Sequence, residues 1–169
     1  MDNPLRRALV WLRHNDRIRC CEVLEIEHFR NGKRIRHEII KGRCPTNAGF
    51  ALIVDRVGAV AAGAAVTYLA VGTGSTAADP TDTTLEAEVA DTGLERAAAT
   101  VTRVTTTVAD DTLQLLYEWT ATGVKILREI AAFNAAVAGG MLGRKVYDAI
   151  TTANTDHVKL TYKFPFSAA

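Results

Sequence analysis

The sequence predicts a mainly β protein: an antiparallel β-sandwich or jelly-roll-like domain with an N-terminal helix and a β-hairpin extension. Three observations lead there. Asn31-Gly32 separates two β-rich runs, and Asn-Gly is the strongest short hairpin signal because both residues tolerate the positive φ of a type I′ turn. Short apolar runs then alternate with turn residues every 8–15 positions, as in sandwich and barrel proteins. Alanine, valine and threonine dominate the second half, a mix suited to thin, twisted strands rather than a large aromatic core. At 169 residues the chain can hold one domain with its own core, or a core plus an arm.

Residues 4–14 read as a short helix. Pro4 suits its first turn and Asn3 its cap. Leu5, Ala8, Leu9 and Leu12 form an apolar stripe flanked by Arg6, Arg7 and Arg13. Two readings stay open: an arm whose Arg6, Arg7, Trp11 and Arg13 contact a neighbouring subunit, or a helix packed on its own domain. The hairpin spans 18–29 and 33–41. Leu24 and Ile26 alternate with Glu25 and Glu27, and Ile35, His37 and Ile39 with Arg34, Arg36 and Glu38. One apolar and one charged face are expected, with Glu25 and Glu27 facing arginines of the partner strand if the register allows.

Cys44-Pro45-Thr46 breaks the hairpin from a helix over 47–57, capped by Thr46 or Asn47. Residues 66–71 form a strand that ends in a polar loop over 72–84, and 83–89 is expected to make one or two helical turns. Strands follow over 96–108, 113–120, 141–147 and 157–166, with Leu115, Tyr117 and Trp119 on one side of the second. Residues 125–133 fit helix or strand equally. The expected organisation is a basic arm and hairpin, 1–45, joined to a sandwich-like body, 46–169.

Charge divides along the same line. Residues 1–45 hold eleven Lys/Arg against six Asp/Glu, and the remainder nine against thirteen. Such asymmetry marks two surfaces with different partners, or head-to-tail packing of copies. Acids interleave with the basic residues and weaken their field, so nucleic-acid binding is not expected. No stretch approaches the roughly 20 apolar residues of a membrane helix, and Asp2, Arg13, Asp16 and Arg17 interrupt any signal-peptide pattern. Three cysteines, Cys20, Cys21 and Cys44, cannot all pair within one chain. They are either unreactive thiols or members of intersubunit disulfides.

No catalytic constellation emerges. Gly72-Thr73-Gly74-Ser75 lacks the lysine of a phosphate loop and the third glycine of a dinucleotide loop. Asp79, Asp82, Glu86, Glu88 and Asp91 lack the alternation and central glycine of a calcium loop. His28 and His37 are candidate cross-strand neighbours without an evident third metal ligand. No metal and no cofactor is expected, and no enzyme.

Residues 68–89, Tyr-Leu-Ala-Val-Gly-Thr-Gly-Ser-Thr-Ala-Ala-Asp-Pro-Thr-Asp-Thr-Thr-Leu-Glu-Ala-Glu-Val, carry a strand, a G-T-G-S-T loop with a proline, and D-T-x-L-x-x-E-like residues. Arg96 then opens a strand. Ile126–Phe133 supplies an Ile-Leu-Arg-Glu-Ile-Ala-Ala-Phe run, Gly140-Met141-Leu142-Gly143-Arg144 follows, and a strand closes over 158–166. In this order the motifs resemble structural proteins of tailed-bacteriophage virions, across roughly 45–166. The resemblance implies a non-enzymatic protein of the neck, collar, tail or capsid exterior, of the kinds loosely called tail, fibre or head-decoration proteins. Its partners would be copies of itself and other virion proteins, with no membrane. A receptor- or glycan-binding fibre module is the alternative. Within this pattern Gly72 and Gly74 are expected to permit a tight turn, Leu85 to anchor the next segment in the core, and Arg96 and Arg144 to pair with Glu86, Glu88 or Glu129.

Overall fold

A computed structural model of the chain describes residues 18–42, 45–59 and 64–168. The expected helix over 4–14, with Arg6, Arg7, Trp11 and Arg13, lies outside the described residues, as does Cys44. The described strands are β1 (Ile18–Cys20), β2 (Glu22–Arg30), β3 (Lys33–Gly42), β4 (Tyr68–Gly72), β5 (Ala97–Ala98), β6 (Thr100–Val104), β7 (Thr112–Thr120), β8 (Ile126–Phe133), β9 (Met141–Thr151) and β10 (His157–Ala168). They form two antiparallel sheets. The larger runs β3-β2-β10-β7-β6, with β1 also pairing β10, and the smaller runs β5-β4-β8-β9. Among the described residues one helix, α1 (Asn47–Gly58), packs beside β9. The architecture is the mainly β, sandwich-like one that the sequence predicts.

The hairpin turns at Asn31 and Gly32, with φ of 52° and 72°, the left-handed pair a type I′ turn requires. Its register departs from expectation. A bulge between His28 and Phe29 shifts the pairing, so that Leu24 opposes Ile40 and Ile26 opposes Glu38. One extra residue flips every later side chain of β3 to the other face. Ile35 and Ile39, expected on the apolar face, are therefore 49% and 56% exposed. Glu27 does meet an arginine, Arg34, at 2.9 Å, while Glu25 meets His37 at 3.0 Å. Nor does the hairpin stand apart with the arm. β2 lies between β3 and β10 inside the large sheet, and Leu24 and Ile26 are core residues. The boundary at residue 45 does not separate hairpin from body.

The core fills the space between the sheets. Leu24, Ile26, Leu115, Trp119, Val158, Leu160, Tyr162 and Phe164 from the large sheet meet Leu69, Val71, Leu127, Ile130, Leu142 and Ile150 from the small one. The period-2 alternation of β10 places Val158, Leu160, Tyr162 and Phe164 inward, as strand geometry dictates. The predicted strand over 96–108 is two short strands. β5 pairs β4 in the small sheet and β6 pairs β7 in the large one, so the chain changes sheets at Ala99.

The small sheet is covered on both faces. Its second face buries Ala70, Ala131, Phe133 and Met141 against Leu85 of the 73–96 excursion. That resolves 125–133 as strand β8: buried on both sides, it is apolar without alternation, which periodicity alone cannot tell from a helix. Residues 83–89 are not helical. They run extended enough for Glu88 to bridge to Gly72.

Candidate functional site

The residues singled out between 72 and 144 converge on one buried carboxylate. Glu129 projects from β8 toward the covered outer face and is 0% exposed. Its Oε1 accepts the amides of Gly74 at 3.0 Å and Ala87 at 2.8 Å, and its Oε2 accepts the Glu86 amide at 3.1 Å. Arg144 of β9 completes the set, donating from Nε to Oε2 at 2.8 Å. Four donors meet the roughly four lone-pair sites of a carboxylate, as a buried charge requires. The rest of the Arg144 guanidinium is also engaged. Nη1 donates to Asp82 at 2.8 Å and Nη2 to the Thr76 carbonyl at 3.2 Å. Glu86 folds its carboxylate over the Thr76 amide and hydroxyl, and these bonds hold its pKa below the ordinary glutamate value.

A second clamp closes the excursion. Arg96 donates to both oxygens of Glu88, at 2.9 and 2.7 Å. It stacks its guanidinium 3.7 Å from the Phe133 ring centroid and donates to the carbonyls of Ala135 and Ala138. This bidentate, stacked geometry suits arginine and not lysine. Both arginines thus find partners among Glu86, Glu88 and Glu129. Asp82 and the Thr76 carbonyl, which sequence reasoning missed, join them.

Gly72 and Gly74 act differently from expectation. Neither has a positive φ. They are needed for close approach: a Cβ on Gly74 would stand 2.6 Å from Glu129 Oε1, and one on Gly72 would collide with the same oxygen and the Ala87 carbonyl.

Next to this network opens a cleft of about 510 Å³, lined by Ser75, Asp79 and Pro80 on the loop, Thr46 before α1, Arg144 and Lys145 on β9, and Glu22 on β2. Glu22 is 4% exposed. Its carboxyl sits where Gly42 and Gly143 leave room, since a Cβ on either would lie within 3.0 Å of it. Burial pushes its pKa up to about 8, against the lowering pull of the Tyr162 hydroxyl and Lys145. The carboxyl is therefore mostly neutral at pH 7. The Tyr162 hydroxyl is itself buried beside Glu22, close enough to bear on its charge but without a well-formed hydrogen bond among the described residues. The signal for Glu22 is present in the sequence, because it shares parity with Leu24 and Ile26 and so falls on the core face of β2.

The histidine pair does not form. His28 opposes Arg36 and His37 opposes Glu27, on opposite faces. His28 instead meets buried Asp156 at 2.8 Å. Arg30, and after it His28 and the Ala153 amide, hold the Asp156 carboxyl far below the usual range. Of the cysteines, Cys20 is buried and Cys21 exposed, adjacent positions of one extended chain. Among the described residues no group of three or more His, Cys, Asp or Glu could hold a metal ion, and no described helix is long and apolar enough to cross a membrane.

The arrangement fastens a long loop to a sheet. Its carboxylates are occupied by backbone amides, the Thr76 hydroxyl and arginines. Compared with known protein families, curated proteins and solved structures, the chain shows no significant match.

Proposed function

We propose that this chain is a structural subunit of a tailed-bacteriophage particle, made in the host cytoplasm and assembled in multiple copies at the neck, collar, tail or capsid exterior. One observation carries the reading. The motifs that resemble virion proteins, lying far apart in sequence, supply a single internal framework: Gly72 and Gly74 make room, Glu86, Glu88 and Glu129 accept, and Arg96 and Arg144 donate. Such motifs serve architecture, with their polar groups spent on holding the fold. Apolar side chains left outside, among them Ile39, Phe50 and Val54 at 56%, 45% and 62% exposure, offer surface that neighbouring subunits would cover.

The test is direct. Antibody raised against the purified chain is applied to purified phage particles from the source host, with mass spectrometry of their proteins alongside. Labelling at one discrete station of the particle, with several copies per particle, is expected. A chain absent from particles that stays monomeric and binds glycans would overturn the proposal in favour of a free-standing binding module.

A further inference from the structure

Glu22 and Lys145 line the same cleft, and each holds a donor that the fold leaves unused. A buried acid starved of donors keeps its proton, so the Glu22 carboxyl presents an O–H at neutral pH. Among the described residues nothing takes that proton in a well-formed hydrogen bond. The Lys145 ammonium donates to the Lys41 carbonyl at 3.2 Å and forms no ion pair among the described residues, though it carries donors to spare. A Cβ on Gly42 would stand 2.5 Å from Lys145 Nζ and 3.0 Å from Glu22 Oε2, so the two groups flank one point at the end of β3. The other charges of the cleft are committed. Glu129 and Asp82 hold Arg144, and Asp79 accepts the Thr81 amide and hydroxyl. Tyr162 of β10 and, near it, Cys20 of β1 are the remaining ionisable groups around Glu22 among the described residues, and both are buried.

We propose that this cleft binds a small organic carboxylate, one oxygen taken by the Lys145 ammonium and the other by the Glu22 carboxyl O–H. Two adjacent donors, one of them charged, match the two oxygens of one carboxylate. Ala77, Ala78, Pro80 and Val146 line the same cleft and suit a short hydrocarbon body. A ligand cation would meet Lys145 and find Glu22 uncharged. A phosphate would bring more oxygens than these two donors serve, close to the Asp79 carboxylate. The site does not depend on the virion reading, since its groups all belong to one chain.

The probe is isobutyrate, titrated against the full chain at pH 7 and pH 9 and read by relaxation of the ligand methyl signal in NMR. A ligand of this size is expected to bind with a Kd of roughly millimolar. Glu22 loses its proton at about pH 8, so binding should weaken about tenfold between the two pH values. Lys145→Met should weaken it at least about tenfold at pH 7. Glu22→Gln, which cannot ionise, should abolish the pH dependence, with circular dichroism confirming that both variants keep their sheets. Absence of saturable binding at pH 7 would overturn the proposal. So would binding indifferent to Lys145→Met, or equal at both pH values in the wild-type chain. Methylammonium binding that tightens from pH 7 to pH 9 would also overturn it, by making the cleft a cation site.

Discussion

Two buried glutamates, Glu22 lining the cleft and Glu129 in the network beside it, are treated in opposite ways. Glu129, 0% exposed, receives three backbone amides and an arginine. Glu22, 4% exposed, has the Tyr162 hydroxyl and the Lys145 ammonium beside it among the described residues, and burial lifts its pKa to about 8. Depth is nearly the same at both. What differs is the supply of donors, and that decides whether a buried carboxyl is a rivet or a liability. The amide donors at Glu129 come from a loop with no regular secondary structure, whose amides would otherwise lack partners. At Glu22 the neighbouring amides already serve the β2–β3 and β2–β10 ladders.

The largest effect is expected from Glu129→Ala. It removes one of the carboxylates that hold Arg144, whose side chain is 3% exposed, leaves Asp82 as its 2.8 Å partner, and deprives three amides of their acceptor. Removing one partner of a buried ion pair costs about 3–5 kcal/mol, and the amides add to that. Urea denaturation should show the midpoint falling steeply, with the 73–89 segment becoming the first site of limited proteolysis. A loss below about 1 kcal/mol would mean that the network does not hold the loop.

Glu22→Gln should act in the other direction. Unfolded Glu22 ionises near the ordinary value of 4.5 and folded Glu22 near 8. Between those values the native state keeps a proton that the unfolded state has lost, so stability falls as pH rises from about 4.5 to about 8 and then levels off. The glutamine mimics the neutral acid at all pH values. It should leave stability near pH 4.5 almost unchanged and raise it by a few kcal/mol at about pH 8.5, as read from urea midpoints at the two pH values. A wild-type protein equally stable at both would break the contrast between the two glutamates.

Legibility in the sequence follows whether a residue's role depends on its neighbours in the chain. Thr46 caps α1, accepting the Gly49 amide at 3.0 Å, and the Asn31-Gly32 turn forms as expected; both are local. The pairing partners of Arg96 and Arg144 narrow to three glutamates because acids near a β-rich run have few cations to meet. The outward turn of Ile35 and Ile39 is not legible, since a single bulge at His28/Phe29 inverts the face of β3. Nor is the strand state of 126–133, whose second covered face is made by a distant excursion. Glu22 escapes notice because an acid at a strand start reads as solvent-facing, although its parity with Leu24 places it inside.

The smallest effect, and the sharpest test of the comparison, is Lys145→Met. The Lys145 ammonium lowers the Glu22 pKa and donates to the Lys41 carbonyl at 3.2 Å, a partly exposed contact whose loss should cost under about 1 kcal/mol. Without that cation, burial acts on Glu22 less opposed, and its pKa should rise above about 8. Carbon-detected NMR titration of the Glu22 side-chain carboxyl reads this shift directly. The window over which stability falls would then extend to higher pH. An unchanged or lowered midpoint would show that Lys145 does not sense Glu22, and that the Tyr162 hydroxyl alone moderates the cost of burying the acid.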